Sequence, residues 1–141
     1  MEKIPVVFWS GTGNTEMMAN EIAQGIRSAG AEPMVVTASE ADLSLLKDSA
    51  KIAFGCPAMG AEVLEEGEFE PMFTEVEGFL DGKKLALFGS YDWGDGEWMR
   101  DWQNRLPAGA QLFREGLIIN NTPDGEGLAQ CAEFGQAFAS F

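Results

Sequence analysis

The chain has 141 residues, 45% of them hydrophobic, and carries 23 acids against 9 bases for a formal charge of −14. That length can bury a sizeable core without staples, and that charge argues against nucleic acid and anionic membrane surfaces as partners. No apolar run approaches the ~20 residues of a membrane span, and the lack of His removes the usual general base and the commonest transition-metal ligand.

Residues 4–9 form an apolar run that reads as a buried strand. Residues 16–29 read as a helix, with Met18, Ile22, Ile26 and Ala29 at helical spacing. Between them Ser10-Gly11-Thr12-Gly13-Asn14-Thr15 is a strand-to-helix loop. Its glycines let the backbone turn tightly, and Ser10, Thr12, Asn14 and Thr15 add hydroxyl and amide groups. The helix N-terminus supplies free N–H groups with partial positive charge. Asn14 follows Gly13 where a nucleotide triphosphatase loop needs Lys, and Glu16 stands where a dinucleotide fingerprint needs a third Gly. What remains is a hydroxyl-rich cradle without a cation, suited to one terminal phosphate.

Further along, 34–37 reads as a second strand, 41–47 as a short helix and 51–56 as a third strand stopped by Pro57. Residues 58–67 show no strong periodicity. A helix over about 70–80 puts Phe69, Phe73, Val76 and Leu80 on one side, and 85–88 is a fourth strand. Residues 89–96 form a second Gly-rich loop, with Asp95 as N-cap of a helix over 97–106. A fifth strand holds 117–119, with a possible start at 111–113, and the last helix covers about 124–140. Cys56 and Cys131 fall in apolar patterns and are expected as buried free thiols. The start, Met1-Glu2-Lys3-Ile4-Pro5, lacks signal-peptide features, so a cytoplasmic location is expected.

Short apolar strands alternating with helices predict an α/β domain over 1–141, a doubly wound parallel sheet between two helical layers. Ligands bind such sheets at the carboxyl ends of the strands. Loops 10–15, 57–67 and 89–96 leave those ends and should converge.

Loop 57–67 opens Pro57-Ala58-Met59-Gly60-Ala61-Glu62, and loop 89–96 reads Gly89-Ser90-Tyr91-Asp92-Trp93-Gly94-Asp95-Gly96. Met59 would be exposed unless it packs under its own loop or a ligand covers it. Trp93, between Asp92 and Gly94, suits stacking on a planar ring better than packing on its own helix. Trp98 and Trp102, four apart on the following helix, are expected in the core or half-buried, and Trp9 fits either the core or the site. A phosphate cradle, a sandwich for a flat ring and no general base describe a site for a bound redox cofactor. FMN, with one phosphate and one isoalloxazine, fits.

These motifs together resemble the short-chain flavodoxins of the clostridial type. Phe8 to Thr15 resembles the family's phosphate loop. Gly55-Cys56-Pro57-Ala58-Met59-Gly60 resembles its first flavin loop, and Phe88-Gly89-Ser90-Tyr91 with Trp93-Gly94-Asp95-Gly96 its second. The resemblance covers essentially the whole chain, and strand five lacks a long insertion. It implies a five-stranded sheet in the order 2-1-3-4-5. It implies that Ser10, Thr12, Asn14 and Thr15, on the loop of Trp9, Gly11 and Gly13, hold the FMN phosphate. Met59 and Trp93 would cover the ring, Glu62 would accept from flavin N3–H, and Gly89 and Asp92 would offer backbone N–H to the pyrimidine edge. Pro57, Ala58, Ser90, Tyr91 and Gly94 would complete the walls. The Gly60–Ala61 peptide would turn its carbonyl toward N5 on reduction. Asp92 stands where the clostridial pattern has Gly, and Ala61 where it often has Asp.

The implied function is low-potential one-electron transfer by a monomer that is not an enzyme and holds no metal. Its partners would be redox enzymes with basic docking patches, such as flavodoxin- or ferredoxin-type reductases and oxidoreductases. Acids without an intervening base from Glu62 to Glu77 suit that docking. The competing reading is an FMN-dependent quinone or nitro reductase on the same fold, which would need a second pocket.

Overall fold

The computed structural model describes residues 2–141. In chain order the elements are β1 (Lys3–Phe8), α1 (Asn14–Ser28), β2 (Glu32–Thr37), α2 (Leu43–Asp48), β3 (Lys51–Gly55), α3 (Phe69–Val76), β4 (Lys84–Tyr91), α4 (Glu97–Arg105), β5 (Gln111–Leu112), β6 (Leu117–Asn120) and α5 (Gly125–Ala139). All strand pairings are parallel, in the order β2-β1-β3-β4, with β5 and β6 both against β4. The expected five-strand order therefore holds, with the fifth place taken by two short pieces. Leu85 pairs with Leu112 and Phe88 with Leu117, so three steps along β4 face five along the β5–β6 segment. Arg114, at φ +52, sits in the resulting bulge.

The period-2 alternation of each central strand divides the core in two. Ile4, Val6, Phe8, Ala53, Ala86 and Phe88 face α1 and α5, while Val7, Ile52, Phe54, Leu85 and Leu87 face α2, α3 and α4. On the first side α1 and α5 touch backbone to backbone. A Cβ at Gly25 would overlap the Ala132 carbonyl, and one at Gly135 the Ile22 carbonyl. On the second side Trp102 meets Phe69 and Phe73 edge to face while the two phenyl rings stack, and Trp98 and Trp102 are buried. Cys56 and Cys131 are free and buried, and burial pushes the Cys131 thiol up to about 12 and that of Cys56 further. No described helix is long and apolar enough to cross a membrane.

Beyond shifts of one or two residues at element ends, three features differ from the sequence expectation. β4 continues through Gly89, Ser90 and Tyr91, because these residues pair with β6, so the second Gly-rich loop begins at Asp92. The helix expected over 70–80 stops at Val76 and finishes as a 3-10 turn. Asp95 does not cap α4. Its carboxylate holds Arg100 at 2.9 Å, and Gly96, at φ +95, occupies the cap.

At the start of α3, Glu65 does the capping from three residues upstream. Its carboxylate accepts from the N–H groups of Gly67 at 2.7 Å and of Glu68 and Phe69 at 2.8 Å. Desolvation raises the Glu65 pKa, and these three amides more than offset it, leaving the carboxyl below its ordinary value. The folded chain thus binds this proton less tightly than the unfolded chain. The stability it contributes is full above the ordinary carboxylate value of about 4.3 and is lost as pH falls through the lower folded value. Glu65→Gln is expected to cost about 1 kcal/mol in urea unfolding at pH 7, as for a lost cap. The difference from wild type should shrink steadily below about pH 4; a difference constant down to pH 2 would remove the carboxylate from this role.

Candidate functional site

A cleft of about 240 Å³ opens at the carboxyl ends of β1, β3 and β4. Trp9, Gly11 and Thr12 line it from the first loop, and Pro57, Ala58, Met59, Gly60 and Glu62 from the second. Ser90, Tyr91, Asp92 and Trp93 line it from the end of β4. The three loops converge as the topology predicts. The remaining expected residues do not line the cleft. Ser10 and Gly13 build the first loop, Asn14 and Thr15 open α1 behind it, Ala61 is exposed at the tip of the second loop, Gly89 is inside β4, and Gly94 backs onto Glu62.

The first loop is shaped by its own hydroxyls. Gly13, at φ +97, is the N-cap of α1 and offers no side chain to its amides. Ser10 supplies the missing oxygen, accepting from Gly13 N–H at 3.1 Å and Glu16 N–H at 3.2 Å. Thr15 is buried and shares a hydrogen bond of 2.8 Å with Ser90. Asn14 N–H donates to the Thr12 hydroxyl at 3.4 Å. The N–H groups of Gly11, Thr12 and Thr15 have no acceptor among the described residues. That leaves a set of free donors at a helix N-terminus, with no lysine or arginine lining the cleft.

The second loop hangs from the sheet. Cys56 N–H donates to Phe88 O and Ala58 N–H to Ser90 O, both at 3.0 Å. Met59 and Val63 then bridge each other, at 2.8 and 3.1 Å. Between them Gly60, at φ +42, and Glu62, at φ +58, are left-handed, whereas Ala61 is not. The carboxylate of Glu62 is drawn inside, 8% exposed, with Oε1 lacking any partner. A buried acceptor without a donor is costly, so this atom is open to an N–H from a ligand. Met59 is half-buried beside it, and Trp93 is 63% exposed.

Two further residues belong to the site that sequence reasoning passed over. Glu68 accepts the Trp9 indole N–H at 2.9 Å, and Trp9 both lines the cleft and packs on the edge of the core. Thr122 donates to Asn14 Oδ1 at 3.0 Å, tying the segment after β6 to the first loop. Glu68 was one acid among many in its run. Thr122 could have been suspected, because it follows a strand at its carboxyl end.

Gly94 is the tightest seat in the site. It lies at φ +91, and a Cβ there would overlap the Glu62 carboxylate. Gly94→Ala should cost at least about 1 kcal/mol from backbone strain alone. It should cost less in a Glu62→Ala background, where only the strain remains. Urea unfolding of the four proteins in that cycle reads the coupling; strict additivity would mean Glu62 points elsewhere.

A family model described as Flavodoxin matches residues 6–135. The chain is 46% identical to a flavodoxin of Clostridium beijerinckii over 136 residues, covering 96% of this chain and 98% of that protein. The solution structure of two-electron reduced Megasphaera elsdenii flavodoxin is 43% identical, with a TM-score of 0.89 over 98% of this chain and 99% of that one. Oxidised Flavodoxin 2 from Bacillus cereus, 32% identical, gives a TM-score of 0.85 over 98% of both chains. By sequence over nearly its whole length and by fold, this chain belongs to the flavodoxin family.

Proposed function

We infer that the chain, acting as a single domain over residues 1–141, is a one-electron carrier that holds FMN non-covalently in the cleft of its three loops. The observation that carries the residue assignment is the unpartnered Glu62 Oε1 in a cleft also lined by Gly11 and Thr12, whose N–H groups, like that of Thr15 behind them, are free. One ligand that satisfies both must carry an N–H donor on an apolar flat body and an anion some distance away. FMN has both, and when bound it supplies the one-electron redox chemistry.

The chain's own residues then have distinct tasks. The amides of the first loop and the Thr12 hydroxyl bind the phosphate, while Ser10 and Thr15 hold the loop in shape. Met59 and Trp93 flank the ring and keep water from its faces. Glu62 orients it through the N3 donor. No residue lining the cleft is a cation, so phosphate and reduced ring sit among neutral donors and carboxylates. That field opposes added negative charge and sets a strongly reducing potential. Partners are redox enzymes with basic patches, such as flavodoxin- or ferredoxin-type reductases and oxidoreductases, met by a cytoplasmic monomer. The whole-length relatives are flavodoxins, which does not favour the quinone or nitro reductase reading.

Phosphate recognition tests the reading directly. Thr12→Ala should weaken FMN binding at least about tenfold, the loss of a hydrogen bond to a charged group, and riboflavin should bind far more weakly than FMN. Equal affinity for the two flavins in fluorescence titration would refute it.

Asp92 is exposed at the rim of the same cleft. Its charge opposes reduction, so Asp92→Asn should make the second one-electron potential less negative, by roughly tens of millivolts at low ionic strength, and less in salt. Spectroelectrochemical titration measures it, and an unmoved potential at low salt would place the carboxylate out of range.

A further inference from the structure

β6 forms the outer edge of the sheet and pairs with β4 alone, from Leu117 opposite Phe88 to Asn120 opposite Tyr91. In a parallel strand, alternate residues turn their backbone groups to opposite sides. Asn121 N–H donates to Tyr91 O at 2.8 Å. Leu117 and Ile119 therefore also face β4, and Ile118 and Asn120 turn N–H and C=O outward. Neither outward N–H has an acceptor among the described residues. The row is closed only one step earlier, where Gly116 N–H donates to Gln103 Oε1 at 2.6 Å.

Edge strands are usually blunted by charge or proline. The other edge, β2, has both in Glu32 and Pro33. β6 has neither, and its Leu117, Ile118 and Ile119 are each half-exposed. What flanks it is charged. On the α5 side run grooves of about 530 and 230 Å³, whose walls include Glu115, Glu133 and Arg114 in the first and Asp124 and Glu126 in the second. Arg114 is already spent on Glu133, at 2.7 and 2.9 Å. On the α4 side Arg100 and Asp95 neutralise each other beside Met99, leaving Glu115, which borders both sides, as the one unpaired charge of that groove among the described residues. A second copy of this chain would bring the same acids and a charge of −14 to the contact.

We propose that β6 is a docking edge for an extended segment of a partner protein, which joins the sheet as an added strand through Ile118 and Asn120. The segment has lysine or arginine at every second residue, facing the acidic grooves of the α5 side, and apolar residues between them, facing the α4 side. The docked strand lies next to the cofactor cleft, because the Asn120 side chain donates to Tyr91 O at 3.1 Å. This goes beyond the carrier reading and does not rest on it.

The test adds a capped hexapeptide of alternating lysine and valine to the FMN-loaded protein and follows amide hydrogen exchange. Exchange at Ile118 and Asn120 should slow by about tenfold or more at saturating peptide, with Leu117 and Ile119 unchanged. N-methylation of only one of the peptide's two alternating sets should abolish the protection, since only that set turns its N–H toward β6. Ile118→Pro should abolish it too, because it removes an outward N–H and no bond to β4. Three results would overturn the proposal: no protection at Ile118 and Asn120, equal protection from hexalysine, which would be charge attraction alone, or protection that grows with protein concentration in the absence of peptide, which would make the occupant a second copy.

Discussion

One buried contact fixes the site: Thr15 Oγ1 against Ser90 Oγ, at 2.8 Å. Thr15 opens α1 and Ser90 lies near the end of β4, so the two hydroxyls tie the first loop to the third. Ser90 also presents its carbonyl to Ala58, which suspends the second loop from the same residue. Because both hydroxyls are buried, each must find its partner, and an apolar replacement on one side would orphan the other. The three loops are thus held to one another through the sheet.

The electrostatics of the cleft follow from what it lacks. The folded chain uses its cations elsewhere. Lys51 caps the end of α5 through Ala139 O at 2.8 Å, and Lys83 caps α2 through Lys47 O and Ser49 O, both at 2.6 Å. Arg105 is gathered between Glu70 and Glu77. Lysines therefore gather where the strands begin, and none lines the cleft where they end. In the proposed reading an anion there would rest on oriented amides instead of charge. Amides are short-ranged, so they would hold a phosphate at contact while the surrounding field stays negative.

Most of this was legible in the sequence, because the fold depends on periodicity and punctuation. The apolar strands, the helices between them and the glycine-rich turns each carry a local signal, and a parallel sheet leaves few ways to assemble them. The losses were non-local. Gly89-Ser90-Tyr91 has the composition of a loop, and only the pairing with β6 makes it strand. Asp95 has the chemistry of a cap, and Arg100 claims it first. The inward turn of Glu62 needs Gly94 behind it, and the clamp of Glu68 on Trp9 spans 59 positions. No window of sequence contains both members of such pairs.

The glycine-mediated contact of α1 with α5 bears on how the chain is made. α1 is synthesised early and α5 last among the elements, with β2 through β6 between them. The apolar stripe of α1 and its face of the sheet cannot be fully covered until α5 has left the ribosome. While β2 through β6 are being made, the nascent chain therefore holds an open half-core. The 23 acids of this chain would then set like charge against like between neighbouring nascent chains while that face is uncovered.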